Sequence, residues 1–205
     1  MELPANLELP LASGASWWYW LGGRPAIDFV NTHRERWWRN VETLVTVDDL
    51  SLWLQQADLL HETTTPTAGH LRGARRLRYA INSGVQACVD RSPTPERAIV
   101  EINRWLADAC VTRRLQAQSH GLWALTDEPP SDPIRHGLAR VALDAATMLG
   151  TDQRDRVRIC ASETCSARFY DASRPGTRRW CSMSSCGNNA KARRHRARQS
   201  TGRKN

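Results

Sequence analysis

Four cysteines near the carboxyl end carry the clearest chemistry in the chain. Cys160 and Cys165 enclose four residues, fifteen follow, and Cys181 and Cys186 again enclose four. Each close pair supplies two corners of a tetrahedron with Zn–S bonds of about 2.3 Å, so the set predicts one structural Zn(II). An all-Cys set leaves no open position for water or substrate, which argues against a catalytic metal. Two disulfides are the alternative, disfavoured in a cytosolic setting where thiols stay reduced. The other two thiols, Cys88 and Cys110, fall on or beside apolar helical faces and are expected to be buried and structural.

Directly after Cys186 comes GNNAKARRHRARQ. Ala, Arg and Lys favour helix, so a helix is expected from Asn188 onward. Lys191, Arg194 and Arg198 are placed on one face, with Arg193 and Arg196 beside it. With Asn188, and with Arg178 and Arg179 from the stretch between the cysteine pairs, these are the candidate DNA contacts. Their donors suit phosphate oxygens, and Arg also reads guanine edges in the major groove. Arg168 and Arg174 are further phosphate candidates. Between the pairs, Ala167 to Asp171 predicts a short strand and Ser173 to Thr177 a turn, while Trp180 is expected to pack over the sulfurs. A module of roughly 30 residues buries too little surface to fold alone, so the metal is expected to supply much of its folding energy.

The charge distribution agrees with a polyanion partner. The net charge of the 205 residues is +8. From Thr151 on there are 14 Lys and Arg against 4 Asp and Glu, a net of +10, and the first 150 residues hold 15 against 17, a net of −2. Such a basic block is the electrostatic footprint of a nucleic-acid binder. A 40% hydrophobic content with 9 Trp argues for a folded chain. No run approaches the roughly 18 apolar residues that span a bilayer, and the opening MELPANLELP lacks the basic start of a signal peptide. A cytoplasmic, nucleoid-associated protein with no membrane partner is the expectation.

The elements that must position the cysteine module read as mainly α. Residues 1–16 are expected to form a flexible arm. WWYWLGGRPAIDFVNTHRERWW holds five Trp between Trp17 and Trp38, a density suited to a core or a cavity wall. A helix begins near Thr46 with Leu50, Trp53, Leu54, Ala57 and Leu60 on one stripe. A second runs from about Thr67 to Asp90, with Ala74, Leu77, Ile81, Val85 and Cys88 inward. Thr94-Pro95 opens a third as cap and first position, with Ile99, Ile102, Leu106 and Ala109 as its stripe. Alternation in RLQAQ and LWALT around Ser119-His120-Gly121 predicts a β-hairpin. Asp132-Pro133 starts a fourth helix, which carries Ile134, Leu138, Val141, Ala145 and Leu149 and stops at Gly150. The expected layout is a helical domain with a small hairpin at 17–150, a linker at 151–154, and a four-Cys zinc module with a basic helix at 155–205.

At this point two stretches resemble known families. RRWCSMSSCGNNAKARRHRAR resembles the CGNR zinc finger, whose paired cysteines close with Cys-Gly-Asn-Arg and a basic stretch; the resemblance implies DNA binding. LGGRPAIDFVNT and DDLSLWL are similar to the ABATE domain that precedes this finger in bacterial stress-induced transcription regulators. One position departs, since Asn189 stands where the signature has Arg.

A transcriptional regulator that binds duplex DNA is therefore expected, with a small-molecule effector held in the helical domain by Asp28, Asn31, Trp37, Trp38 and Arg78. A homodimer is expected because most regulators read paired half-sites. An RNA- or ribosome-binding zinc protein is the alternative, and an enzyme a further one. No G-x-S-x-G, H-E-x-x-H, P-loop or dinucleotide fingerprint is present, so no catalytic residue is assigned.

Overall fold

The computed structural model describes residues 17–61 and 64–202. The expected arm at 1–16 lies outside the described residues. The fold is mainly α, with three two-stranded antiparallel ribbons among the described residues.

The first helix, α1 (Pro25–Val30), starts with Pro at its first position and buries Ala26, Ile27, Phe29 and Val30. It has no side-chain cap of its own. Asp144 from the far end of the chain fills that role, accepting the Ala26 N–H at 2.9 Å while pairing with the Arg24 guanidinium. A short ladder follows, β1 (His33–Arg34) against β2 (Val41–Glu42). Helix α2 (Val47–Gln56) opens with a reciprocal box in which Thr46 Oγ1 accepts from Asp49 N and Asp49 accepts from Thr46 N.

The spine is α3 (Ala68–Asp90), 23 residues and about 34 Å long. Its inward stripe of Ala74, Leu77, Ile81 and Val85 is buried as expected, and Cys88 is half-buried. Against it lie α4 (Glu96–Leu106) and α5 (Pro133–Leu149), which also pack on each other. Asp132 caps α5 by accepting from Arg135 N. Trp53 meets Phe29 at a tilt in the same core and is covered on its other side by the stacked ring of the part-exposed Trp20.

Several details depart from the sequence expectation. Helix α4 begins one residue late, with Pro95 outside it as the cap. Its buried residues are Ala98, Ile102 and Trp105, while Ile99 is 47% exposed. The indole of Trp105 sets this phase, because it lies against Gly73 of α3, where a Cβ would sit only 3.0 Å away. Cys110, just past α4 and its short 3-10 extension, is exposed rather than buried. Gly150 ends α5 at φ −86, so it is not there for a left-handed turn. It provides room, since a Cβ would lie 2.7 Å from the Ala146 carbonyl oxygen.

The hairpin forms where alternation predicted it, β3 (Arg113–Ala117) against β4 (Trp123–Asp127). The segment expected as a free link is instead part of a 3-10 turn, Asp152–Arg156, to which Arg24 reaches by a hydrogen bond to Gln153. Then β5 (Val157–Ile159) pairs with β6 (Arg168–Tyr170), and Val157 and Tyr170 join the core of the helical domain.

His33 provides a pH test of this arrangement. Its Nδ1 faces the Arg36 guanidinium at 2.8 Å and its Nε2 faces Asn40 Oδ1 at 2.8 Å. Arg36 can only donate, so the ring is neutral, with Nδ1 accepting and Nε2–H donating. Burial, with the Arg36 and Arg78 charges, lowers its pKa to about 4. A lowered pKa contributes stability above the unfolded value near 6.5 that is lost as the pH falls toward 4, on the order of 2 kcal/mol. Chemical denaturation of His33→Gln should therefore show a shallower loss than wild type between pH 6.5 and 4. Comparing the two chains also cancels Asp28, whose pKa burial raises to about 6 and whose effect on stability runs the opposite way.

Candidate metal centre and nucleic-acid interface

The four thiols are gathered by short local devices. Cys160 follows β5 directly, and its N–H donates to Ala167 O at 2.9 Å across the ribbon. Cys165 ends a turn closed by its own N–H on Ser162 O. The loop bearing Cys181 is tied to the ribbon by Ala161 N donating to Arg179 O at 2.8 Å. Cys186 stands in a π-helical turn, Met183–Gly187, whose cap Ser182 accepts from Ser185 N. That turn runs straight into α6 (Asn188–Gly202).

All four Sγ atoms lie within 4.8 Å of one another. Cys181 Sγ is 3.8 Å from Cys165 Sγ and 3.7 Å from Cys186 Sγ. A tetrahedron with bonds of about 2.3 Å has edges of about 3.8 Å, so the cluster has the size of a closed Zn–S4 site, and no sulfur pair is bonded as a disulfide. Hydrogen bonds from Cys165, Cys181 and Cys186 hold the Cys160 thiol well below its usual value, while contacts with Cys160, Cys165 and Cys186 push the Cys181 thiol far up. Phe169 and Ala167 wall the cluster and Trp180 packs against it, as expected.

Buried arginines surround the sulfurs. A dication with four thiolates carries two net negative charges. Burial lowers the pKa of Arg168 and of Arg34, both 2% exposed, and the nearby Cys165 charge offsets part of that in each. Arg34 lies 3.6 Å from the Tyr19 ring centroid, and both line a cavity of about 20 Å³, about one water in size, that Cys165, Cys181 and Cys186 also line.

The joint to the helical domain is equally specific. The Asn31 side chain brackets Arg168, with Nδ2 donating to Arg168 O and Oδ1 accepting from Arg168 N, both at 2.9 Å. Tyr170 N donates to Gly22 O at 2.7 Å, and Arg36 N donates to Ser166 Oγ at 3.1 Å.

The sequence candidates separate into two groups. Lys191, Arg194, Arg196 and Arg198 are exposed along α6, a helix with no apolar face, and Asn188 is exposed at its start. Arg193 lies about 200° around the helix from Lys191 and turns back to Glu163 at 3.4 Å. Arg179 is exposed and lies over Trp180. Arg178 is turned inward, donating to Cys181 O at 2.9 Å and lying over Phe169. Arg168, a phosphate candidate by sequence, is interior. Asn189, in the signature Arg position, is exposed in the first turn of α6.

The five candidate effector residues are not brought together. Asp28 accepts from Gly22 N at 2.7 Å, and Arg78, fully buried, donates to Glu42 and to Thr32 Oγ1. Trp37 and Trp38 are 52% and 61% exposed, Trp37 with its indole N–H on Glu163 O and its ring under Arg168. Of the five, only Asn31 lines the cavity beside the sulfurs. Arg34, Arg36 and Ser166 were not singled out in the sequence, since nothing local marks a residue whose partner lies 130 positions away.

A helical domain fused to a four-thiolate knot with a basic helix defines a class, helical proteins that carry a zinc-finger module. The chain belongs to the ABATE family, described as "Putative stress-induced transcription regulator", whose model matches residues 23–152. The CGNR zinc finger model matches residues 156–199. A comparison with curated proteins finds no match. The family's description points to a regulator, and the cofactor is one structural zinc held by Cys160, Cys165, Cys181 and Cys186. Among the described residues, no helix is long and apolar enough to cross a membrane.

Replacing Cys181 or Cys186 with Ser should release the zinc, measured by metal analysis, and lower the helical circular dichroism through loss of α6. A chelator should do the same to the wild type.

Proposed function

We propose that the protein is a transcription regulator that binds duplex DNA through the exposed face of α6, steered by the zinc centre. One observation carries this reading: α6 is rich in cations, has no apolar face among its described residues, and is separated from the metal ligand Cys186 by Gly187 alone. A cationic helix held at a fixed angle suits a groove lined with phosphates. Lys191, Arg194 and Arg198 form the contact face, with Asn188, Arg196 and Arg179 near its edges. Arg178 and Arg193 act by bracing the finger. Asn189 removes one cation from the position the family signature gives to Arg, which favours weaker phosphate contact there.

Effector control is the finer part of the reading, and the favoured place is an open cleft rather than the five residues expected from sequence. Arg91, Arg154, Asp155 and Arg158 line it between the end of α3 and β5. Three guanidiniums against one carboxylate suit a small anion, and a ligand there touches both domains. Such a ligand should raise Tm and shift DNA affinity, with reciprocal coupling. A thermal-shift panel of carboxylates and phosphates tests this, and Arg91→Asn with Arg154→Ser should abolish the shift while zinc content stays unchanged.

DNA binding is tested by the triple substitution of Lys191, Arg194 and Arg198 by Gln. Duplex affinity should fall, and the slope of log K against log salt should flatten by up to about 3, close to 0.9 per lost phosphate contact. Wild-type affinity and slope in the triple variant would remove α6 as the contact. Stronger binding to structured RNA than to duplex DNA at equal salt would favour the RNA reading instead.

A further inference from the structure

The β3–β4 hairpin turns its apolar side outward. Its register sets Leu115 opposite Leu125 and Ala117 opposite Trp123, so these four side chains share one face with Arg113 and Asp127. The other face carries Arg114, Gln116, Ala124 and Thr126. Ala124 and Thr126 are the half-covered residues of β4, whereas Leu115 is 58%, Trp123 74% and Leu125 62% exposed. Leu122, beside the turn, is 67% exposed. The two strands hold mainly each other. At the base of the same hairpin, Val111 and Asp127 border an open cleft of about 940 Å³ whose walls include Leu59, Pro130 and Leu143.

We propose that this face is a dimer interface and that its occupant is the same face of a second copy of the chain. A lone two-stranded hairpin is marginal in water, and two stacked face to face make a four-stranded unit with a shared apolar interior. The charges fit a copy better than a polyanion or a lipid headgroup layer. On this face Arg113 is matched by Asp127 at 3.6 Å, and on the other Arg114 is matched by Glu128 at 3.1 Å, leaving the hairpin neutral in a chain of net charge +8. Two such chains meet here without repulsion. The exposed parts of Val111, Leu115, Leu122, Trp123 and Leu125 offer on the order of 600 Å² per copy, close to the roughly 800 Å² per partner of a standard interface. A two-fold axis needs only one self-complementary patch, and Trp123, at the turn end of the ladder and the most exposed of these side chains, is the kind of residue that anchors one. On the reading above, two copies joined here carry two α6 helices, the arrangement that suits paired half-sites.

The test is sedimentation of the zinc-loaded full chain from about 1 to about 100 µM, the range in which a micromolar Kd is resolved. Wild type should sediment as a dimer. Trp123→Glu should raise the dimer Kd on the order of 100-fold, with helix content and bound zinc unchanged, and Trp123→Phe should restore most of the affinity. Should Trp123→Glu misfold, Leu115→Gln serves as the second variant and should weaken the dimer in the same sense. A wild type that is monomeric throughout, including one whose hairpin binds a different protein, overturns the proposal. So does a dimer whose Kd neither variant moves. No DNA enters the measurement, so its outcome is separate from that of the duplex-binding test.

Discussion

One side-chain amide joins the two halves of this molecule. Asn31 lies beside Arg168 as an added strand would, satisfying its N–H and its C=O together. The ribbon that carries the first cysteine pair therefore continues into the helical domain rather than ending at its own edge. Tyr170 on Gly22 and Arg36 on Ser166 repeat the connection on either side. Asn31 is 2% exposed, and a buried amide is costly unless its groups are paired. The pairing is thus specific, and the direction in which α6 leaves the finger is referred to the core around Phe29 and Trp53.

Electrostatics follows the same division of labour. Inside the helical domain, Arg78 is fully buried and faces Glu42. Burial alone would raise the Glu42 carboxyl, but the hydrogen bond and charge of Arg78 outweigh it and leave the carboxyl below its usual value. At the joint, Arg34 and Arg168 are buried near the sulfurs, where the charge of a loaded site matches theirs. The cations on α6 are different in kind, since most of them lie in solvent. Interior arginines hold the shape, and exposed ones are left for the proposed contact with DNA.

The cysteine spacing and the basic run were legible because ligand set and helix propensity are local properties. Helix starts were legible for the same reason at Thr46, Thr67 and Asp132, each of which caps its helix. The phase of α4 was not, because it depends on how Trp105 meets Gly73 on another helix. The internal partners of Asp28, Asn31 and Arg78 were not legible for a related reason. A polar residue within an apolar stretch looks the same whether it awaits a ligand or a distant backbone group. Arg178 and Arg168 were counted with the exposed cations because composition carries no direction, and only the folded knuckle shows them turned inward.

The π-helical turn at Met183–Gly187 has one more consequence. Fixing the first turn of a helix is the improbable step in helix formation, with a statistical weight near 10⁻³, or about 4 kcal/mol. A 15-residue helix with no apolar stripe has little of its own to offset that weight. Here the turn is held in place by Cys186, so the four-sulfur site acts as the nucleus from which α6 propagates. Loss of the ion then does more than loosen a finger. It returns the cationic segment to a coil that keeps its charge but loses its shape, and so separates attraction to a polyanion from recognition of one.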